Sequence, residues 1–251
     1  MIKKAGGFSE QGERSVNQDR ILYVSDQTKG LFLVADGVGG LHHGERASAA
    51  IRNSFYQWWN ERGRWLDDST LDDDIEEIRG KLSEISRKIY ESGDSNNFSA
   101  STIVLLWLKN AYYALFWAGD SRCYLAKKQY LGISVAQMTV DDTWENQVRQ
   151  KQSGRFCEEE LKKSPDYGKL VRVVGATERF SCNIRTGDID GNSLFVLCSD
   201  GVYKYIGLGI LKAEIRKFYR GGSEEQFFRQ IQNQIEKKKA PDNLSLVYVK
   251  L

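Results

Sequence analysis

Apolar and polar positions along this chain follow two rhythms. Short apolar runs, many closed by glycine or aspartate, stand at 5–8, 21–25, 31–35, 101–108, 111–118, 123–126, 133–138, 182–186, 193–198 and 244–249, and predict strands. Between some of them apolar residues recur at helical spacing. Ala47, Ala50, Ile51, Phe55 and Trp58 predict a helix over 44–60. Ile75, Ile78, Leu82, Ile85 and Ile89 predict another over 71–90, with aspartates in its first turn as a helix N-terminus favours. Further helices are expected at 208–219 and 223–239. The runs 101–108 and 111–118 read as a hairpin around Lys109-Asn110. From 139 to 175 the pattern turns irregular and polar, with helical patches near 143–150 and 157–163, as in a lid or functional excursion. Strands come as hairpins and helices as pairs, so the pattern points to antiparallel sheets covered by helices and away from alternating βαβ units.

Candidate chemistry sits at the strand ends. LFLVADGVGG at 31–40 ends an apolar run in Asp36 and Gly37, and LFVLCSDG at 194–201 repeats the design with Asp200. Asp120 follows Gly119 in LFWAGDSR, and Asp242 stands just before the last apolar run in PDNLSLVYV. Carboxylates beside a core are expensive unless paired or bound to metal, and a cluster of them repels itself without a cation. Oxygen-only ligands suit Mg²⁺ or Mn²⁺.

Composition narrows the class. The 251 residues suit one domain with a sizeable core, and a net charge of +2 gives no reason to expect nucleic acid. Charge is local: DDSTLDDDIEE at 67–77 and EKKKA at 236–240 read as solvated helix ends. The four cysteines show no metal-type pairing, and Cys198 reads as a buried reduced thiol. There is no signal-peptide pattern and no apolar stretch long enough to cross a bilayer, so the expectation is a cytoplasmic protein with no membrane partner. No phosphate-binding G-x-x-x-x-G-K-[ST] loop supports a kinase or ATPase.

Taken in order, R-x-x-NQD (Arg14 to Asp19), DGVGG (36–40), AST (100–102), GDSR (119–122), SDG (199–201) and DN (242–243) resemble the metal-dependent serine/threonine protein phosphatases of type 2C in their compact bacterial form. The motifs span residues 14 to 243, and their joint order is what makes the resemblance specific. It implies an α+β fold, a four-layer α-β-β-α sandwich of two antiparallel sheets flanked by helix pairs. Residues 1–251 would form a single catalytic domain with a flap at 139–175. By the same resemblance Asp36 bridges two Mn²⁺ or Mg²⁺ ions and the Gly37 carbonyl binds one of them. Asp200 and Asp242 complete the first metal site, and Asp120 helps hold a third, weaker ion. Arg14 grips the substrate phosphate, with Asn243, Asp19 and Gln18 in support.

The implied activity is hydrolysis of phosphoserine and phosphothreonine by a water shared between two metal ions, with no phosphoenzyme. The partner is a phosphorylated protein, the target of a serine/threonine kinase, and the enzyme a monomer. Three departures stand out. Gln18 replaces an acid of eukaryotic relatives, Val38 takes the place of a histidine in some, and KSPDYGKLVRVVG is unusual for the flap. His42 and His43 are candidates for a general acid, and Trp144, Arg149 and Phe156 for flap contacts with substrate. Two alternatives remain open at this point. One is a catalytically weak or dead phosphatase-like module that binds a phosphoprotein or kinase as a regulator; the other is a hydrolase of small phosphate esters.

Overall fold

The computed structural model describes residues 2–38, 44–66, 68–93, 98–152, 157–238 and 241–251. The chain opens with strands β1 (Lys4–Glu10), β2 (Asp19–Ser25) and β3 (Lys29–Val38), then helices α1 (Gly44–Glu61) and α2 (Leu71–Ser92). Strands β4 (Ala100–Ser101), β5 (Ile103–Lys109), β6 (Tyr112–Ala118), β7 (Arg122–Gln129) and β8 (Gly132–Gln137) follow. Helices α3 (Trp144–Gln152) and α4 (Glu158–Lys163) lie in the polar excursion. The remainder is β9 (Asn183–Asp188), β10 (Leu194–Cys198), α5 (Asp200–Ile206), α6 (Leu208–Tyr219), α7 (Glu224–Lys237) and β11 (Leu244–Lys250).

Two sheets form, in the orders β1-β11-β10-β7-β8 and β2-β3-β5-β6-β9, with β4 paired to β3. Every strand pair in them is antiparallel. The two-residue period of each strand sorts its side chains into separate layers. In β3, Leu31, Leu33 and Ala35 pack under α1 and α2 beside Ile51, Phe55, Ile78, Leu82 and Trp107. Their neighbours Phe32 and Val34 face the other sheet, where Phe195, Leu197, Val247 and Val249 meet them. The alternate residues of that sheet, Val196, Cys198, Leu246 and Tyr248, pack under α6 and α7 against Ile215, Phe218, Phe227 and Ile231. Three apolar interlayers between four layers of structure are the α-β-β-α sandwich that the pattern and the resemblance led us to expect.

Where the structure departs from expectation, pairing decides. Strand β3 does not stop at Ala35. It carries Asp36 and Gly37 within the strand, because Gly37 and Val38 pair with Ser101 and Ala100 of β4. Gly39 and Gly40 of the expected glycine turn lie outside the described residues, as do His42, His43 and Phe156. The hairpin turns at Asn110-Ala111, since Lys109 still pairs with Tyr112, and Asn110 takes the left-handed conformation at φ 54°. Helix α5 was not expected; its seven residues are too few to show a helical period.

The acidic stretch at 67–77 is also not wholly solvated. Thr70 and Asp73 form a capping box at the start of α2, but Asp74 is fully buried. Its Oδ2 accepts from Trp107 Nε1 at 3.0 Å and lies 3.1 Å from Lys109 Nζ. Lys109 also donates to the Ser69 carbonyl at 2.6 Å and to Ser69 Oγ at 2.7 Å. Removing one partner of a buried ion pair strands the other charge. Asp74→Ala is therefore expected to lower unfolding stability by about 3–5 kcal/mol, read from urea denaturation. A loss below about 1 kcal/mol would show that water reaches Lys109.

Candidate active site

At one end of the sandwich the layer between the sheets changes from apolar to polar without a break in strand alternation. Asp36 follows Phe32 and Val34 on the inter-sheet side of β3; Ser199 follows Phe195 and Leu197. Asp19, Ser245, Ser121 and Thr102 precede Ile21, Val247, Cys123 and Val104 on the same alternation. All of these but Asp36 are buried, and Asp36 is half-buried.

Hydroxyls organise this end. Ser199 Oγ donates to Asp19 Oδ2 at 2.8 Å and accepts from the Ser245 amide at 3.0 Å. Thr102 Oγ1 and Ser121 Oγ share a hydrogen bond of 2.7 Å, and the Asp36 amide donates to Thr102 Oγ1 at 3.2 Å. Asp19 stands opposite Asp36 in the β2–β3 register. Burial pushes the Asp19 carboxyl up to about 6 despite its hydrogen bond from Ser199. Asp36 is held well above the usual carboxylate range, first by burial and then by the charges of Asp19, Asp200, Asp120 and Asp242. Asp120, buried after Gly119, is raised by burial and by Asp200, against the pull of Lys204.

Two cations answer this negative charge. Arg14 Nε donates to Asp242 Oδ1 at 3.0 Å, and this bond with the charge of Asp242 raises its own pKa. Arg14 is more than half exposed, and among the described residues the two ends of its guanidinium fork make no hydrogen bond. Lys204 lies one turn beyond Asp200 on α5. It bonds Asp200 Oδ2 at 2.5 Å and Asp120 Oδ2 at 3.1 Å.

Close backbone approach brings these elements together. A Cβ on Gly201 would lie 2.0 Å from the Asn243 carbonyl oxygen, so only glycine lets Asp200 and Asp242 stand side by side. Likewise a Cβ on Gly37 would lie 2.4 Å from the backbone of Gly44, where α1 begins. Asn243 is spent on the loop before β2. Its Oδ1 accepts from the Gln18 amide at 2.8 Å, and its Nδ2 donates to the Gln11 and Val16 carbonyls at 2.7 and 3.1 Å. That loop carries Arg14. Gln18 contributes backbone as much as side chain: its carbonyl accepts from Ser48 Oγ at 2.5 Å, while its Nε2 reaches Glu45 at 3.4 Å.

The structure thus gathers Arg14, Gln18, Asp19, Asp36, Gly37, Asp120, Asp200, Asp242 and Asn243 at one end of the sandwich. Two flap candidates form bonds within the excursion itself. Arg149 forms a two-pronged bond with Glu158 at 2.9 and 2.7 Å, and the Trp144 amide donates to the Lys169 carbonyl at 2.9 Å. Ser199, Thr102, Ser121 and Lys204 went unmarked as site residues. The first three could have been found by extending each inter-sheet alternation past its apolar run.

The donor set is all oxygen and excess-negative, and Asp19 Oδ1 is buried with no hydrogen-bond partner among the described residues. Both features fit hard divalent cations. Among the described residues, though, no three Asp, Glu, His or Cys side chains are drawn together tightly enough to enclose an ion as they stand. Arg14 and Lys204 hold Asp242, Asp200 and Asp120 in ion pairs instead.

Gly201→Ala is expected to push α5 away from the start of β11 and lower stability by about 1–3 kcal/mol, measured by urea unfolding. An unchanged midpoint would mean that the Asp200–Asp242 junction is loose.

Comparison with known proteins agrees with this architecture. Residues 7–247 match the family model described as protein phosphatase 2C. A Mycoplasma genitalium protein is 26% identical over 215 residues, covering 80% of this chain and 78% of its own length. The serine/threonine phosphatase stp of Listeria monocytogenes is 23% identical over 202 residues, covering 76% of this chain and 77% of its own. In fold, the crystal structure of serine/threonine phosphatase Stp1 from Staphylococcus aureus superposes with a TM-score of 0.82 at 20% identity, over 100% of this chain and 95% of that one. With nearly the whole length matched and the same two-sheet sandwich, the chain belongs to the protein phosphatase 2C family of serine/threonine phosphatases, bacterial type.

Proposed function

We propose that this chain hydrolyses phosphoserine and phosphothreonine in proteins with the help of two divalent ions, Mn²⁺ or Mg²⁺. The observation that carries the reading is the convergence of Asp36, Asp200 and Asp242 beside a buried carboxylate oxygen, Asp19 Oδ1, with no hydrogen-bond partner among the described residues. The two ions would be held by these three aspartates and the Gly37 carbonyl. When bound, they supply a water of lowered pKa and neutralise charge on the phosphate.

The chain's own residues do the rest. Arg14 offers a planar fork at the edge of the cluster, the geometry that suits two phosphate oxygens at once. Its ion pair with Asp242 fixes the stem, so the fork meets substrate already oriented. Asn243 holds the loop that carries it, and Ser199 holds Asp19 behind Asp36. Among the described residues the hydroxyls of Ser199, Ser121 and Thr102 are not presented as nucleophiles: all three are buried, Ser199 is bonded to Asp19, and Ser121 and Thr102 are bonded to each other. Direct attack by water follows, without a phosphoenzyme. Residues 139–175 would act as the flap of a single catalytic domain over 1–251, flanking the cleft through Asp142, whose Oδ2 accepts from the Gly119 amide at 3.2 Å. Four free cysteines suit a reducing, cytoplasmic setting, and among the described residues no helix is long and apolar enough to cross a membrane.

Hydrolysis of a phosphothreonine peptide is expected to need added Mn²⁺ and to disappear in Asp36→Asn. Wild type no faster than Asp36→Asn, with both folded by circular dichroism, would overturn the reading and leave a phosphoprotein-binding module. Arg14→Ala should cost about 10- to 100-fold in kcat/KM, the worth of charge-assisted hydrogen bonds to phosphate. Rapid-quench trapping of a phosphorylated enzyme would sink the direct-attack route.

A further inference from the structure

Lys204 plays no part in the reading above, yet it sits where the acidic end is most crowded. Its ammonium lies 2.5 Å from Asp200 Oδ2 and 3.1 Å from Asp120 Oδ2, and so links carboxylates from two separate elements. Asp120 is not free to move away. Gly119 holds a left-handed conformation at φ 102°, and Tyr203 Oη donates to the Asp120 carbonyl at 3.0 Å. Tyr203 is itself covered by the Arg122 guanidinium, 3.5 Å above its ring, which Asp141 grips through Nε and Nη2. A lysine side chain ordinarily carries an ammonium at neutral pH, with a pKa of about 10.4, and here its donors face two carboxylate acceptors.

The resemblance led us to expect a third, weaker metal ion at Asp120. The side chains present do not fit one. We propose that the Lys204 ammonium is a built-in cation that takes the place of this third ion between Asp120 and Asp200. The chain then takes up two divalent ions, not three. This rests on the two-metal reading above and concerns the same cluster. A lysine one turn along the helix from Asp200 is tethered to its site, so it needs no recruitment from solution. A divalent ion reaching the same two oxygens would have to displace it or share the space against like-charge repulsion.

The test is metal stoichiometry, read by titrating metal-stripped protein with MnCl₂ in a calorimeter. Wild type should bind two ions per chain. Lys204→Met should bind a third, weaker one, and Lys204→Met with Asp120→Asn should return to two. Asp120→Asn alone should still bind two. Circular dichroism checks that each variant is folded, and Lys204→Gln replaces the methionine variant if that one is not. Three ions in wild type, loss of an ion in Asp120→Asn alone, or two ions in folded Lys204→Met and Lys204→Gln would each overturn this inference and leave the two-metal reading standing. Fewer than two ions in wild type would overturn both.

Discussion

Mutual repulsion among five carboxylates is the constraint on which this structure's working end depends. Asp19, Asp36, Asp120, Asp200 and Asp242 lie near enough together that several feel one another's charge, on the rim of an apolar interlayer. At an effective dielectric near 20, two such charges about 4 Å apart repel by about 4 kcal/mol. The chain meets it in three ways: hydroxyl donors from the strand ends, a shifted ionisation of Asp19 and Asp36, and the cations Arg14 and Lys204. The first is built into the sheets. The cations come from a loop and a short helix.

Both sheets are needed to assemble this end. Asp19 and Asp36 belong to one, while Asp200 and Asp242 flank adjacent strands of the other. Neither sheet alone carries a complete set. The backbone contact of Gly201 with Asn243, and the bonds from Asn243 to Gln11, Val16 and Gln18, tie the C-terminal strand to the N-terminal loop. Residues more than two hundred positions apart in sequence are thereby brought to one rim.

Much of this was legible in the sequence because it is carried by short-range pattern. The apolar runs marked the long strands, the helical spacing of Ile78, Leu82 and Ile85 marked α2, and the acids after Ala35 and Ser199 marked the site. What was hidden depends on partners far along the chain. Strand β3 continues through Asp36 because Ser101 pairs with Gly37, and nothing local to DGVGG announces that partner. Asp74 looked like one more acid in a solvated first turn, but Lys109 and Trp107 arrive from a distant strand and bury it. Lys204 in SDGVYKYIG looks like an ordinary surface lysine until α5 folds and carries it back over Asp200 and Asp120.

The excursion between β8 and β9 is joined to the catalytic end by more than proximity. Ser101 and Val174 exchange both backbone hydrogen bonds, at 3.0 and 2.8 Å, while Ser101 Oγ donates to the Asp36 carbonyl at 3.0 Å. At its other end the Asp142 amide donates to the Gly119 carbonyl at 2.9 Å, beside Asp120. The excursion is thus hinged to two of the five acids through single intervening residues. A displacement of the excursion is therefore passed to the backbone beside Asp36 and Asp120 through two pairs of hydrogen-bonded main-chain groups.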